Sequence, residues 1–117
     1  MLSRKFVKKY IQDFLAELTE VYGYKPQRAV LFGSVAKMNT HEHSDIDLAL
    51  WDARFEGCRP IDCEPIARLL SKFYLIELHT FELSDTSDTH PFVFEIEKKG
   101  VEIGICGTEE SLIGVSL

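Results

Sequence analysis

Over residues 3–22 the apolar side chains Val7, Ile11, Phe14, Leu18 and Val21 recur every three or four positions, with Lys5, Lys8, Lys9, Asp13 and Glu17 mostly between them. That period predicts an amphipathic helix with one face to bury. Ser3 stands where an N-cap belongs, and Gly23 followed by Pro26 supplies the stop. The period then shortens. Arg28-Ala29-Val30-Leu31-Phe32 is an apolar run closed by Gly33, which predicts a buried strand, with residues 34 to about 38 opening a short helix. Residues 45–51 predict a second strand, and 52–59 are polar and turn-like. Residues 60–73 predict a helix with Ile61, Ile66, Leu69, Leu70 and Phe73 on its apolar stripe.

Residues 74–81, YLIELHTF, are β-branched and aromatic enough for a third strand. SDTSDTHP, at 84–91, is a run of turn formers. A short helix over 92–99 ended by Gly100, and a final strand over 101–106, complete the pattern. The tail 107–117 carries no strong period. Helices alternating with a few strands around one sheet and one core predict a small α/β (α+β) domain.

Composition narrows the class. At 117 residues the chain reads as a single domain over 1–117. Its 45% hydrophobic and 27% charged residues are ordinary for a soluble globular protein, and no apolar run reaches the roughly 20 residues needed to span a bilayer. The cationic N-terminus lacks the apolar stretch of a signal peptide. A net charge of −6 disfavours binding to polynucleotide backbones. Cys58, Cys63 and Cys106 have no metal or redox spacing and read as reduced structural thiols, so a cytoplasmic setting is expected. His41 and His43 flank Glu42 in a polar stretch and read as solvated loop residues.

The stretch that needs a chemical explanation is LFGSVAKMNTHEHSDIDLAL, residues 31–50. Gly33 admits a backbone conformation, or a close approach, that a Cβ would block. A helix opening at Ser34 would aim free N–H groups at that corner, which suits phosphate; the Ser34 hydroxyl and Lys37 add a donor and a charge. In a strand, Asp45 and Asp47 share one face while Ile46, Leu48 and Leu50 take the other. Two neighbouring carboxylates repel unless a cation sits between them, and Mg²⁺ favours one or two carboxylates plus substrate phosphates. Gly-Ser, ten residues, then Asp-x-Asp arises by chance on the order of once in a thousand chains of this length.

This stretch resembles the signature of the DNA polymerase β-like nucleotidyltransferase superfamily, specifically the minimal nucleotidyltransferases. The LFGS and SDIDL flanks and the ten-residue interval carry the resemblance, which is specific over 28–51 and looser to 106. It implies that Gly33 and Ser34 contact a nucleoside triphosphate. It also implies that Asp45 and Asp47 hold divalent metal, one or two Mg²⁺ with Mn²⁺ as a substitute. A third acid on the next strand completes such sites; here the corresponding stretch is LIELHTF, which offers Glu77. The pattern usually has glycine where this chain has Met38, and aspartate where it has Glu77. His79, two residues on and on the same strand face, is a candidate helper, with packing or solvent exposure the simpler reading of it.

By resemblance, the reaction is transfer of a nucleoside monophosphate, with AMP from ATP favoured, to an acceptor hydroxyl. Relatives of this size work beside a small helical HEPN-type protein as its antitoxin, which implies a homo- or hetero-oligomer. The exposed part of the first helix and the tail are the candidate contact surfaces. The departures at Met38 and Glu77 leave an alternative, a nucleotidyltransferase-fold binding module that neutralises its partner by occlusion. A third option is a small-molecule transferase whose acceptor pocket is shared with a second subunit.

Overall fold

The structure, a computed structural model, describes residues 4–33 and 46–103. In chain order they form α1 (Arg4–Glu20), β1 (Arg28–Phe32), β2 (Ile46–Trp51), α2 (Arg59–Cys63), a 3₁₀ turn (Glu64–Ile66), α3 (Ala67–Lys72), β3 (Ile76–Phe81), α4 (Pro91–Lys99) and β4 (Val101–Ile103). The strands make one mixed sheet in the order β3-β2-β1-β4. β1 runs antiparallel to both β2 and β4, whereas β2 and β3 are parallel. This is the mixed α/β architecture expected of the pattern. No helix among the described residues is long and apolar enough to cross a membrane.

α1 buries Val7, Ile11, Phe14 and Leu18, the periodic positions of the sequence. Val21 departs from the stripe and is 68% exposed. The helix has ended by then: Gly23 takes φ 76°, and the Gly23 and Tyr24 N–H groups donate to the carbonyls of Thr19 and Leu18. The left-handed glycine turns the chain away and satisfies carbonyls that the helix leaves free.

Strand alternation sorts the sheet into two faces. Ala29, Leu31, Ile46, Leu48, Leu50, Ile76 and Leu78 pack against α1 and α3, where Phe73 meets Phe14 edge-on at 5.6 Å. Val30, Ala49, Trp51 and Phe81 cover the other face and meet Val93 and Ile96 of α4. The expectation of one core is therefore corrected to two. β2 carries Ala49 and Trp51 on the same side as Asp47, so that face is apolar beyond its acidic end and needs a helix to cover it.

The helix expected over 60–73 is broken into three pieces. Pro65 has no N–H to continue the ladder and its ring crowds the preceding turn, so the chain tightens into 3₁₀ geometry there. The break shifts the phase. Ile61 is 52% exposed, and Asp62 is buried instead. Its carboxylate accepts from the N–H groups of Glu56, Gly57 and Cys58 at 2.8–3.0 Å and from the Thr80 hydroxyl at 2.8 Å. That anchors the loop before α2 to β3. Asp62→Ala leaves the buried Thr80 hydroxyl and three partly buried N–H groups without this partner and is expected to cost about 2 kcal/mol, read as a lower urea midpoint at unchanged slope.

The remaining elements follow the sequence closely. α4 begins at Pro91, with the His90 ring accepting from the Phe92 N–H at 3.3 Å. β3 starts at Ile76, later than expected, and Leu75 packs against the α1-side core. Cys58 and Cys63 are free thiols. Ser3, the helix expected after Ser34, Cys106 and the tail lie outside the described residues.

Candidate active site

The polar end of the α4-side face is built by register. Asp47 on β2 and Glu77 on β3 are direct partners in the parallel pair. Side chains so paired stand on one face about 4.8 Å apart at their roots. His79, two residues beyond Glu77, shares that face. One donor atom from each of Asp47, Glu77 and His79 lies within 4.8 Å of the others. Phe32 of β1 is the partner of Asp47 on its other side, so Gly33 directly follows the position facing the carboxylate.

Gly33 shows why that corner is glycine. Its φ is +78°, and a Cβ added there would lie 2.3 Å from Asp47 Oδ2 and 3.2 Å from Cγ. The close approach that the sequence suggested is thus made to the second aspartate of the Asp-x-Asp pair.

Asp47 is half-buried, with 24% of its side chain exposed. Its carboxyl is held above the usual aspartate range. Burial is the main cause, and the neighbouring Glu77 raises it further by hydrogen bonding and charge, while His79 pulls the other way. His79 Nε2 stands 3.5 Å from Asp47 Oδ1. This is at the outer limit of a contact, and the atom is buried with no hydrogen-bond partner. The imidazole is framed edge-on by Phe32 and Phe92, ring centres 5.0 and 5.7 Å away. At the rim, the Arg59 guanidinium lies 3.4 Å from Glu77 Oε1.

Two close carboxylates, one reluctant to ionise, and a partnerless ring nitrogen suit a divalent cation. With no cation bound, Asp47 carries a pH-dependent cost. A carboxyl whose folded-state pKa is raised stabilises the fold below its ordinary value and loses that contribution as pH rises through the folded value. Asp47→Asn, assayed with EDTA, is therefore expected to melt a few degrees higher than the natural protein at pH 7. The two should converge below about pH 4. A gain that grew towards low pH would contradict this account.

The profile of the family described as "Polymerase beta, Nucleotidyltransferase" matches residues 10–105. The chain belongs to that family. This nucleotidyltransferase shares its fold with two solved structures. One is a toxin–antitoxin with AMP-PNP, at 23% identity and TM-score 0.54; the other is a mutant of the toxin–antitoxin MntA–HpeT, at 21% and 0.52. Each alignment covers 88% of this chain and 75% of the other. None of the curated proteins matches significantly. The resemblance read from LFGS and SDIDL is borne out at the level of the superfamily.

Of the expected site residues in this nucleotidyltransferase, Gly33, Asp47 and Glu77 are brought together; Ser34, Lys37 and Asp45 lie outside the described residues, as does Met38. Two neighbours stand outside that set. His79 had a signal in the sequence, since alternation alone places it on the face of Glu77. Arg59 had none, because its contact with Glu77 spans 18 residues and depends on where α2 docks.

Proposed function

We propose that this protein is a divalent-metal-dependent nucleotidyltransferase that moves AMP from ATP to a hydroxyl on a HEPN-type helical partner, as its antitoxin. The observation that carries this is the in-register meeting of Asp47 and Glu77, immediately behind Gly33. Family membership supports the reaction class. The fold neighbours that are toxin–antitoxin assemblies, one of them with AMP-PNP, support the setting.

In this reading Asp47, Glu77 and Asp45 hold the cation, Mg²⁺ or Mn²⁺. When bound, it neutralises charge on the triphosphate and on the pyrophosphate that leaves. The Gly33–Ser34 corner, with Lys37, cradles the phosphates. The acceptor oxygen forms a bond to the α-phosphorus as the bond to the β-phosphate oxygen breaks. Glu77 orients the acceptor hydroxyl and takes up its proton, a role that its exposed position, 39% open at the side chain, allows. Positioning and electrostatics supply most of the acceleration in such transfers.

Incubation with ATP labelled at the α-phosphate, Mg²⁺ or Mn²⁺, and a cognate HEPN-type helical protein is expected to label that partner. ATP labelled at the γ-phosphate should not, and EDTA should abolish transfer. No label on a cognate partner with either metal would overturn the proposal. The contact of Arg59 with Glu77 favours a second reading, in which a side-chain cation occupies the acid and the fold neutralises its partner by occlusion. That reading requires full neutralisation by the Asp45→Asn, Asp47→Asn double variant.

A further inference from the structure

The active site described above uses carboxylates, yet its most enclosed donor is an imidazole. His79 is 18% exposed against 24% for Asp47 and 39% for Glu77. Its ring is framed edge-on by Phe32 and Phe92, and Nε2 is the atom aimed at Asp47 Oδ1. Neutral imidazole offers one lone pair and one N–H. A lone pair on Nε2 would confront an ionised Asp47 oxygen as acceptor against acceptor. A proton on Nε2 would be held poorly across 3.5 Å, and the atom has no other hydrogen-bond partner. A cation between the two atoms removes the conflict. Ions bound at about 2.1 Å hold adjacent octahedral donors roughly 3 Å apart, so a small rotation of either side chain closes the site.

We infer that His79 Nε2 ligates the active-site cation beside Asp47 and Glu77, and that this nitrogen shifts the site's preference from Mg²⁺ towards Mn²⁺. The inference rests on the metal-dependent reading above. Mg²⁺ is a hard ion that favours oxygen and gains little from imidazole. First-row transition ions accept nitrogen readily, and Mn²⁺ is the one that still tolerates a site made largely of carboxylate and phosphate oxygen. Register makes the arrangement possible: Glu77 and His79 are two apart on β3, so one strand presents an oxygen and a nitrogen to the Asp47 carboxylate of β2.

Pulsed electron paramagnetic resonance of the full chain, loaded with Mn²⁺ and α,β-methylene-ATP, tests it without turnover. The natural protein is expected to show nitrogen modulation of the Mn²⁺ signal, changing to the ¹⁵N pattern when its histidines are ¹⁵N-labelled. His79→Gln sets an amide oxygen near the place of Nε2 and should abolish the modulation. It should also lower the Mn²⁺-over-Mg²⁺ preference in competition titrations by about tenfold. His79→Asn gives the same comparison if the glutamine variant does not fold, as judged by circular dichroism. Bound Mn²⁺ without histidine modulation, or modulation that survives both variants, overturns this inference and leaves the proposed function standing. Failure to bind either Mn²⁺ or Mg²⁺ with the analogue present overturns both.

Discussion

On the proposed function, Asp47→Asn is expected to lower AMP transfer by about three orders of magnitude while the protein stays folded. The change keeps the shape of the side chain and removes its charge. Asp47 is the in-register partner of Glu77, and its carboxylate carries the close contact behind Gly33, so no neighbour among the described residues stands in the same place. Losing one charged donor from a site proposed to balance a triphosphate removes several kcal/mol of transition-state stabilisation. Each ~1.4 kcal/mol is a factor of ten in rate. Stability moves the other way, because the half-buried charge that burial and Glu77 disfavour is gone. Rates of label transfer with metal, and thermal melts with EDTA, on the same preparation check both halves. Transfer within tenfold of the natural protein would show that Asp47 does not hold the cation.

Gly33→Ala is expected to damage both stability and activity. An alanine at φ +78° costs about 1–2 kcal/mol from backbone sterics alone. The added methyl would also sit 2.3 Å from Asp47 Oδ2, far inside van der Waals contact, so the carboxylate or the strand end must move. A displacement of ~1 Å at a catalytic group is worth about a hundredfold in rate, and transfer should fall by at least that much. The melting temperature should drop by roughly 4–8 °C per kcal/mol, as in domains of similar size. The two causes separate in a double-mutant cycle. In an Asp47→Ala background the clash disappears and the φ strain remains, so Gly33→Ala should destabilise less there. Equal destabilisation in both backgrounds would mean that the contact with Asp47 carries none of the cost.

Much of this protein could be read along the chain because its elements obey short periods. The stripe Val7, Ile11, Phe14 and Leu18 marks α1, and all four are buried. The alternation in IDLALW separates Asp47 from Ile46, Leu48 and Leu50, and those three lie in the α1-side core. The Gly-Ser corner and the Asp-x-Asp pair, at their ten-residue interval, led to the superfamily, and the family profile agrees. Where the pattern failed, a local rule was outweighed. Pro65 split the helix expected over 60–73 and buried Asp62 in place of Ile61, and a second apolar face called for α4 on the side of the sheet that also holds the acids.

The site divides along the same line. Residue type and spacing within a strand are written in the chain, so the acids and the glycine could be named from it. Distances between strands depend on register, on parallel or antiparallel pairing, and on which helix docks beside which edge, and none of these has a period. That Gly33 touches Asp47, that Glu77 pairs with Asp47 across β2 and β3, that His79 turns a buried nitrogen towards both, and that Arg59 reaches Glu77 from α2 were decided only by packing in three dimensions.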